Sequence, residues 1–128
     1  MTIHELAIEI GKAIKADERM IRLNAARAAY EANEDLSSAL MEYEIQQRAL
    51  ADEYTKADRD EALIAAVQQR IDVLYEKITG SAEYKEMLAA EEAVNALMNE
   101  VNTTITTEIT GEAPCTHDCS SCSHHCHG

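Results

Sequence analysis

All four cysteines of the chain fall in its last fourteen residues, at Cys115, Cys119, Cys122 and Cys126, with the spacing C-x3-C-x2-C-x3-C. Four of its five histidines, His117, His124, His125 and His127, share that stretch. Thiolates suit zinc, copper(I) and iron–sulfur clusters, and imidazole is a further ligand for zinc and copper. Structural zinc sites usually separate two ligand pairs by about a dozen residues, so that a small fold is pinned between them. Nothing intervenes here to be folded, and a short continuous cysteine run is closer in style to a segment that wraps an iron–sulfur cluster of the four-iron four-sulfur type. Zinc is the alternative, with Cys115, Cys119, Cys122 and Cys126 as ligands and His117, His124, His125 and His127 in reserve. Copper, an opportunistic histidine-rich tail and redox disulfides are the remaining readings. Cys115, Cys119 and Cys122 also copy the triad of radical S-adenosylmethionine enzymes, but those need a barrel of strands for which the sequence has no pattern. If three cysteines hold a cluster, the fourth ligand is Cys126, a histidine or a group from a partner chain.

The elements that must carry this tail are helical. Thr2-Ile3-His4-Glu5 fits a capping box, followed by Ile3, Leu6, Ala7, Ile10 and Ile14 on one helical face. Gly11 inside that pattern costs about 1 kcal/mol relative to alanine and suggests close helix contact. Asp17 is placed to cap a second helix carrying Met20, Leu23, Ala26, Arg27 and Tyr30, with a continuous kinked helix as the alternative. The polar residues 31–35 predict a corner. Leu36, Leu40, Tyr43, Gln47, Leu50 and Tyr54 then form a long stripe, and Asp58 or Asp60 is positioned to cap a helix carrying Leu63, Ile64, Val67, Ile71, Leu74, Tyr75 and Ile78. Thr79-Gly80 reads as its stop, with Gly80 suited to the left-handed position after a helix end. Ser81 caps a last helix through Val94, Leu97 and Val101, with fraying expected beyond Ile105, where Thr103, Thr104, Thr106 and Thr107 weaken helix propensity. Gly111-Glu112-Ala113-Pro114 reads as a linker. The expectation is an all-α antiparallel bundle of four or five helices over residues 1–110, with a flexible Cys/His-rich tail over residues 111–128 that is disordered without metal.

Composition narrows the function. Eleven basic residues against twenty-four acidic ones give a formal charge of −13. Such a surface repels phosphate backbones, which disfavours direct nucleic-acid binding. Five tyrosines are the only aromatics, so burial per residue is modest and self-association would help the fold. No apolar run reaches the roughly 20 residues needed to span a bilayer, and Glu5 and Glu9 do not suit a secretory leader. A cytoplasmic location follows as an expectation, and in that compartment clustered thiols read as ligands. Carboxylate pairs such as Glu91 with Glu92 or Asp58 with Asp60 read as solvated surface or caps, because no histidine or nucleophile is placed to work with them.

The opening helix Ile3-His4-Glu5-Leu6-Ala7-Ile8-Glu9-Ile10-Gly11, the corner at residues 29–35, the Met41-Glu42-Tyr43 helix, the Tyr84 helix with residues 90–98 and the Cys-rich end together resemble the YlbF/YmcA family of small helical proteins from Gram-positive bacteria, with the tail like that of its YlbF branch. The resemblance covers nearly the whole chain. It implies a non-enzymatic, cytoplasmic regulator that self-associates through its helices and joins YmcA-like and YaaT-like partners. It further implies an assembly that carries iron–sulfur clusters and assists ribonuclease Y in maturing messenger RNA, with consequences for competence, biofilm formation and sporulation. Only Cys115, Cys119, Cys122 and Cys126 qualify as ligands carried over from the family, and the neighbouring histidines depart from a purely thiolate tail. A zinc- or copper-handling protein on an oligomeric helical scaffold is the competing function.

Overall fold

The structure, a computed structural model, describes residues 1–112; residues 113–128 lie outside the described residues. Five helices follow one another: α1 (Ile3–Ala16), α2 (Glu18–Ala32), α3 (Glu34–Tyr54), α4 (Glu61–Thr79) and α5 (Ala82–Thr110). No strand occurs among the described residues, as the periodicity predicts. Two compact units are distinguished, Met1–Glu91 and the residues from Glu92 onward.

Each boundary has a local cause. The Thr2 hydroxyl accepts from the Glu5 amide at 3.1 Å while the Glu5 carboxylate accepts from the Thr2 amide at 3.0 Å, the expected capping box. Asp17 stands in extended backbone between α1 and α2, so the two helices are separate rather than one kinked rod. Its carboxylate accepts from the backbone amide of Arg19 and from the Arg19 guanidinium, both at 2.9 Å. The guanidinium contact is the larger reason that the Asp17 carboxyl is held down at about 2. Asn33 caps α3 through Leu36 N–H, and of the two candidates before α4 it is Asp60 that accepts, from Leu63 N–H at 3.1 Å.

Two expectations about helix ends are corrected. Gly80 keeps a right-handed backbone, φ −85°, rather than the left-handed one. Its glycine identity answers to space instead, because a Cβ there would stand 2.8 Å from the Glu76 carbonyl oxygen. The helix of the last segment does not fray at Ile105 but runs to Thr110. Within it Thr104 donates its hydroxyl to Glu100 O at 2.8 Å and Thr110 to Thr106 O at 3.1 Å. Gly111, at φ +73°, takes the left-handed position and donates its amide to Thr107 O.

The core of the first unit lies where α3 and α4 pack on each other. Leu74, 2% exposed, sits with Ala39 and Ile78, and Leu40, Tyr43 and Tyr84 close around them. Ile64, Val67 and Ile71 continue the buried stripe of α4, and Leu23 and Ala26 are the buried residues of α2. Exposed ion pairs tie the helices at their edges: Arg70 with Glu42, Arg22 with Glu86, and Arg27 with Glu91 at 3.8 Å. Pairs this exposed contribute little each. Their role is to set which edges meet.

One buried charge is not legible from the pattern. Glu53 is 5% exposed, and its carboxylate accepts from the Asp60 backbone amide and from Lys56 Nζ, both at 2.9 Å. It thereby closes the α3–α4 corner, over which the Arg59 guanidinium lies 5.2 Å from the centre of the Tyr54 ring. The Asp60 amide first, then Lys56, hold the Glu53 carboxyl below its ordinary 4.5. Because the folded value is depressed, the stabilisation is complete above that ordinary value and is lost as pH falls through the folded one. Glu53→Gln is therefore expected to lower the thermal midpoint at pH 7 and to leave a smaller difference from wild type at pH 3, as measured by calorimetry at both values.

Candidate interaction surface

α1 is the element without a place in this core. None of its residues is buried. Among α1–α4 it packs only where it joins α2. Its apolar face is open: Ile3 is 88% exposed, Leu6 50% and Ile10 37%. A 14-residue helix is marginal in water on its own, and among α1–α4 only its junction with α2 supports it. The contact that Gly11 suggested in the sequence is not made among the described residues, where a Cβ added at Gly11 would meet nothing within 4 Å. Gly11→Ala should accordingly strengthen α1 by about 1 kcal/mol, or about fivefold slower amide exchange in that helix alone, read by hydrogen–deuterium exchange.

A second open surface lies between α3 and α4. It is a groove of about 440 Å3 whose floor includes Leu50 and Ile71 and whose walls carry Tyr43, Tyr54, Tyr75 and Asp72. Tyr54 and Tyr75 are about half exposed. The sequence places Tyr43, Tyr54 and Tyr75 on helical stripes that read as core or oligomer interface; Tyr43 packs against the core, whereas Tyr54 and Tyr75 stand in the polar company of Gln47, Gln68 and Asp72.

The charges around these surfaces are uneven. α1 balances Glu5 and Glu9 with Lys12 and Lys15, whereas α3 sets Glu34, Asp35, Glu42, Glu44, Asp52 and Glu53 against Arg48 alone. The carboxylates singled out in the sequence have structural duties where a contact is made: Asp60 caps α4, and Glu91 meets Arg27. Among the described residues no group of three or more Cys, His, Asp or Glu side chains gathers to hold a metal, and no helix is long and apolar enough to cross a membrane. The expected ligands Cys115, Cys119, Cys122 and Cys126, with His117, His124, His125 and His127, lie outside the described residues. The same holds for most of the tail assigned to residues 111–128.

Residues 3–110 match the model of a family described as control of competence regulator ComK, YlbF/YmcA. Comparison with curated proteins and with solved structures returned no match.

Proposed function

The chain belongs to the YlbF/YmcA family, whose description is the control of the competence regulator ComK, and from that membership we propose that it is a non-enzymatic adaptor that works in the cytoplasm by assembling with other proteins. The observation that carries this reading is α1, an amphipathic helix with no buried residue of its own. A bare apolar helix face on a chain of charge −13 suits a protein partner far better than a phosphate backbone or an anionic membrane. The partners proposed are YmcA-like and YaaT-like proteins. The assembly acts on messenger RNA through ribonuclease Y rather than by touching RNA itself, with competence, biofilm formation and sporulation as its outputs.

The tail supplies the cofactor in this reading. Four thiolates at Cys115, Cys119, Cys122 and Cys126 are a donor set that fits a four-iron four-sulfur cluster, and the helical unit gathers no competing set among the described residues. The cluster, when bound, would make the protein sensitive to redox state and iron supply. The histidines around it are the feature that favours the second reading, a zinc- or copper-handling tail on the same scaffold.

The test is cellular. In a strain lacking the chain, uncleaved precursors of ribonuclease Y substrates should accumulate and be restored by the wild-type gene but not by a Leu6→Asp/Ile10→Asp form present at equal abundance. Normal processing in the deletion strain, or tight RNA binding by the purified chain alone, would remove the reading.

A further inference from the structure

The lining of the α3–α4 groove carries the Asp72 carboxylate, the rings of Tyr43, Tyr54 and Tyr75, and no cation. Asp72 and Tyr75 stand three residues apart on α4, so their side chains are neighbours on one helix face. The Gln68 side-chain amide, one turn earlier, donates to Asp72 Oδ1 at 3.0 Å and steadies the carboxylate. Among the described residues Asp72 has no ion pair, and the Tyr75 ring, 56% exposed, has neither a ring nor a cation against it. We propose that this groove is a docking site for an arginine-bearing segment of a basic partner protein, whose guanidinium pairs with Asp72 and lies against Tyr75. This rests on the reading of the chain as an assembling protein and gives the chemistry of one of its partners.

The groove itself shows the chemistry at its other end. Tyr43 packs beside Leu74, and the neighbouring Glu42 pairs with Arg70, so Tyr43 and Tyr75 share one end of the groove. Tyr54 closes α3 eleven residues further on, about 16.5 Å along the helix. That ring already carries a guanidinium, with Arg59 5.2 Å from its centre. The surrounding charge selects a basic partner. Arg70 and Lys56 answer Glu42 and Glu53, which leaves Glu34, Asp35, Glu44 and Asp52 of α3 with Arg48 as the one cation of that helix. A wall of this sign attracts basic segments and repels acidic ones, a second copy of charge −13 included. Arginine is favoured over lysine by shape. A planar guanidinium stacks on an aromatic ring while offering paired N–H groups to a carboxylate, and an ammonium has no such plane. An open groove of about 440 Å3 takes side chains of an extended segment rather than a whole helix.

The experiment titrates the full chain into a fluorescently labelled, end-capped peptide of alternating arginine and alanine and reads anisotropy, with the matching lysine–alanine peptide in parallel. The arginine peptide should bind more tightly than the lysine peptide. Its affinity should fall about fivefold with Asp72→Asn and about threefold with Tyr75→Leu, the size of an exposed ion pair and an exposed cation–π contact. Tyr75→Phe keeps the ring face and should bind like wild type. So should Glu44→Gln, which removes the same charge from α3 outside the groove lining. All these positions are exposed on formed helices, and circular dichroism checks that each variant keeps its helicity. Equal losses with Glu44→Gln and Asp72→Asn would show diffuse attraction and overturn the proposal. No binding by wild type, no loss with Asp72→Asn and Tyr75→Leu, or equal affinity for the lysine peptide would overturn it as well. Failure of the adaptor reading shows elsewhere, as normal precursor processing in the deletion strain, whichever way the peptide titration falls.

Discussion

Replacing Cys115, Cys119, Cys122 and Cys126 together by serine should strip the anaerobically purified protein of iron and sulfide while leaving its helical content unchanged. The two halves of this result have separate causes. Serine oxygen is a poor ligand for the soft metals that thiolates hold, so loss of four thiolates removes the donor set outright. The helices, in contrast, end in their own caps and bury their own core, with α5 closed by Gly111 at φ +73° before the first cysteine is reached. Broad visible absorption with matched iron and sulfide in the wild type, absent from the variant, is the expected spectrum. A colourless wild type with stoichiometric zinc would give the tail to metal handling and keep the scaffold. His124→Ala/His125→Ala separates the alternatives further, because a purely thiolate cluster retains its spectrum in that variant and a mixed Cys/His zinc site loses affinity.

The largest effect on stability is expected at Leu74. It is 2% exposed and meets Ala39 and Ile78 where α3 and α4 pack. Leu74→Ala removes buried methyl groups and leaves a cavity that two rigid helices can close only in part, a loss of about 3 kcal/mol. That is a large share of the few kcal/mol by which a domain of this size is stable. Urea unfolding should show a lower midpoint with an unchanged slope. The same change at Leu6, which is 50% exposed on α1, should move the midpoint little. The contrast separates the residues that hold the fold from those held in reserve for contact.

The helix boundaries at Thr2, Asp17 and Asp60 were legible because capping is local: a side chain one turn from its target amide decides the matter. Gly80 and the end of α5 were not, for opposite reasons. At Gly80 the deciding contact is steric, a missing Cβ beside the Glu76 carbonyl, which residue type alone does not distinguish from a left-handed turn. At α5 the propensity argument set the boundary by the β-branched threonines, whereas the helix is closed further on by the left-handed Gly111, whose amide donates to Thr107 O. Glu53 illustrates a third limit, since a carboxylate in an acidic helix reads as surface until the loop it pins is folded beside it. Periodicity found the apolar faces of α1 and α4 equally well. Only the packed structure shows that the face of α4 is buried and that of α1 is open, and the proposed assembly rests on this difference. The chemistry of the cysteine and histidine tail rests on spacing alone and is a proposal on that basis.

The central claim is that this protein acts by assembling through the open face of α1. Mixing the purified chain with its YmcA-like and YaaT-like partners and measuring the mass of the resulting species by light scattering tests it most directly. The account predicts a defined complex with wild type and its loss with a Leu6→Asp/Ile10→Asp chain that is still helical; an unchanged complex with that variant would contradict it.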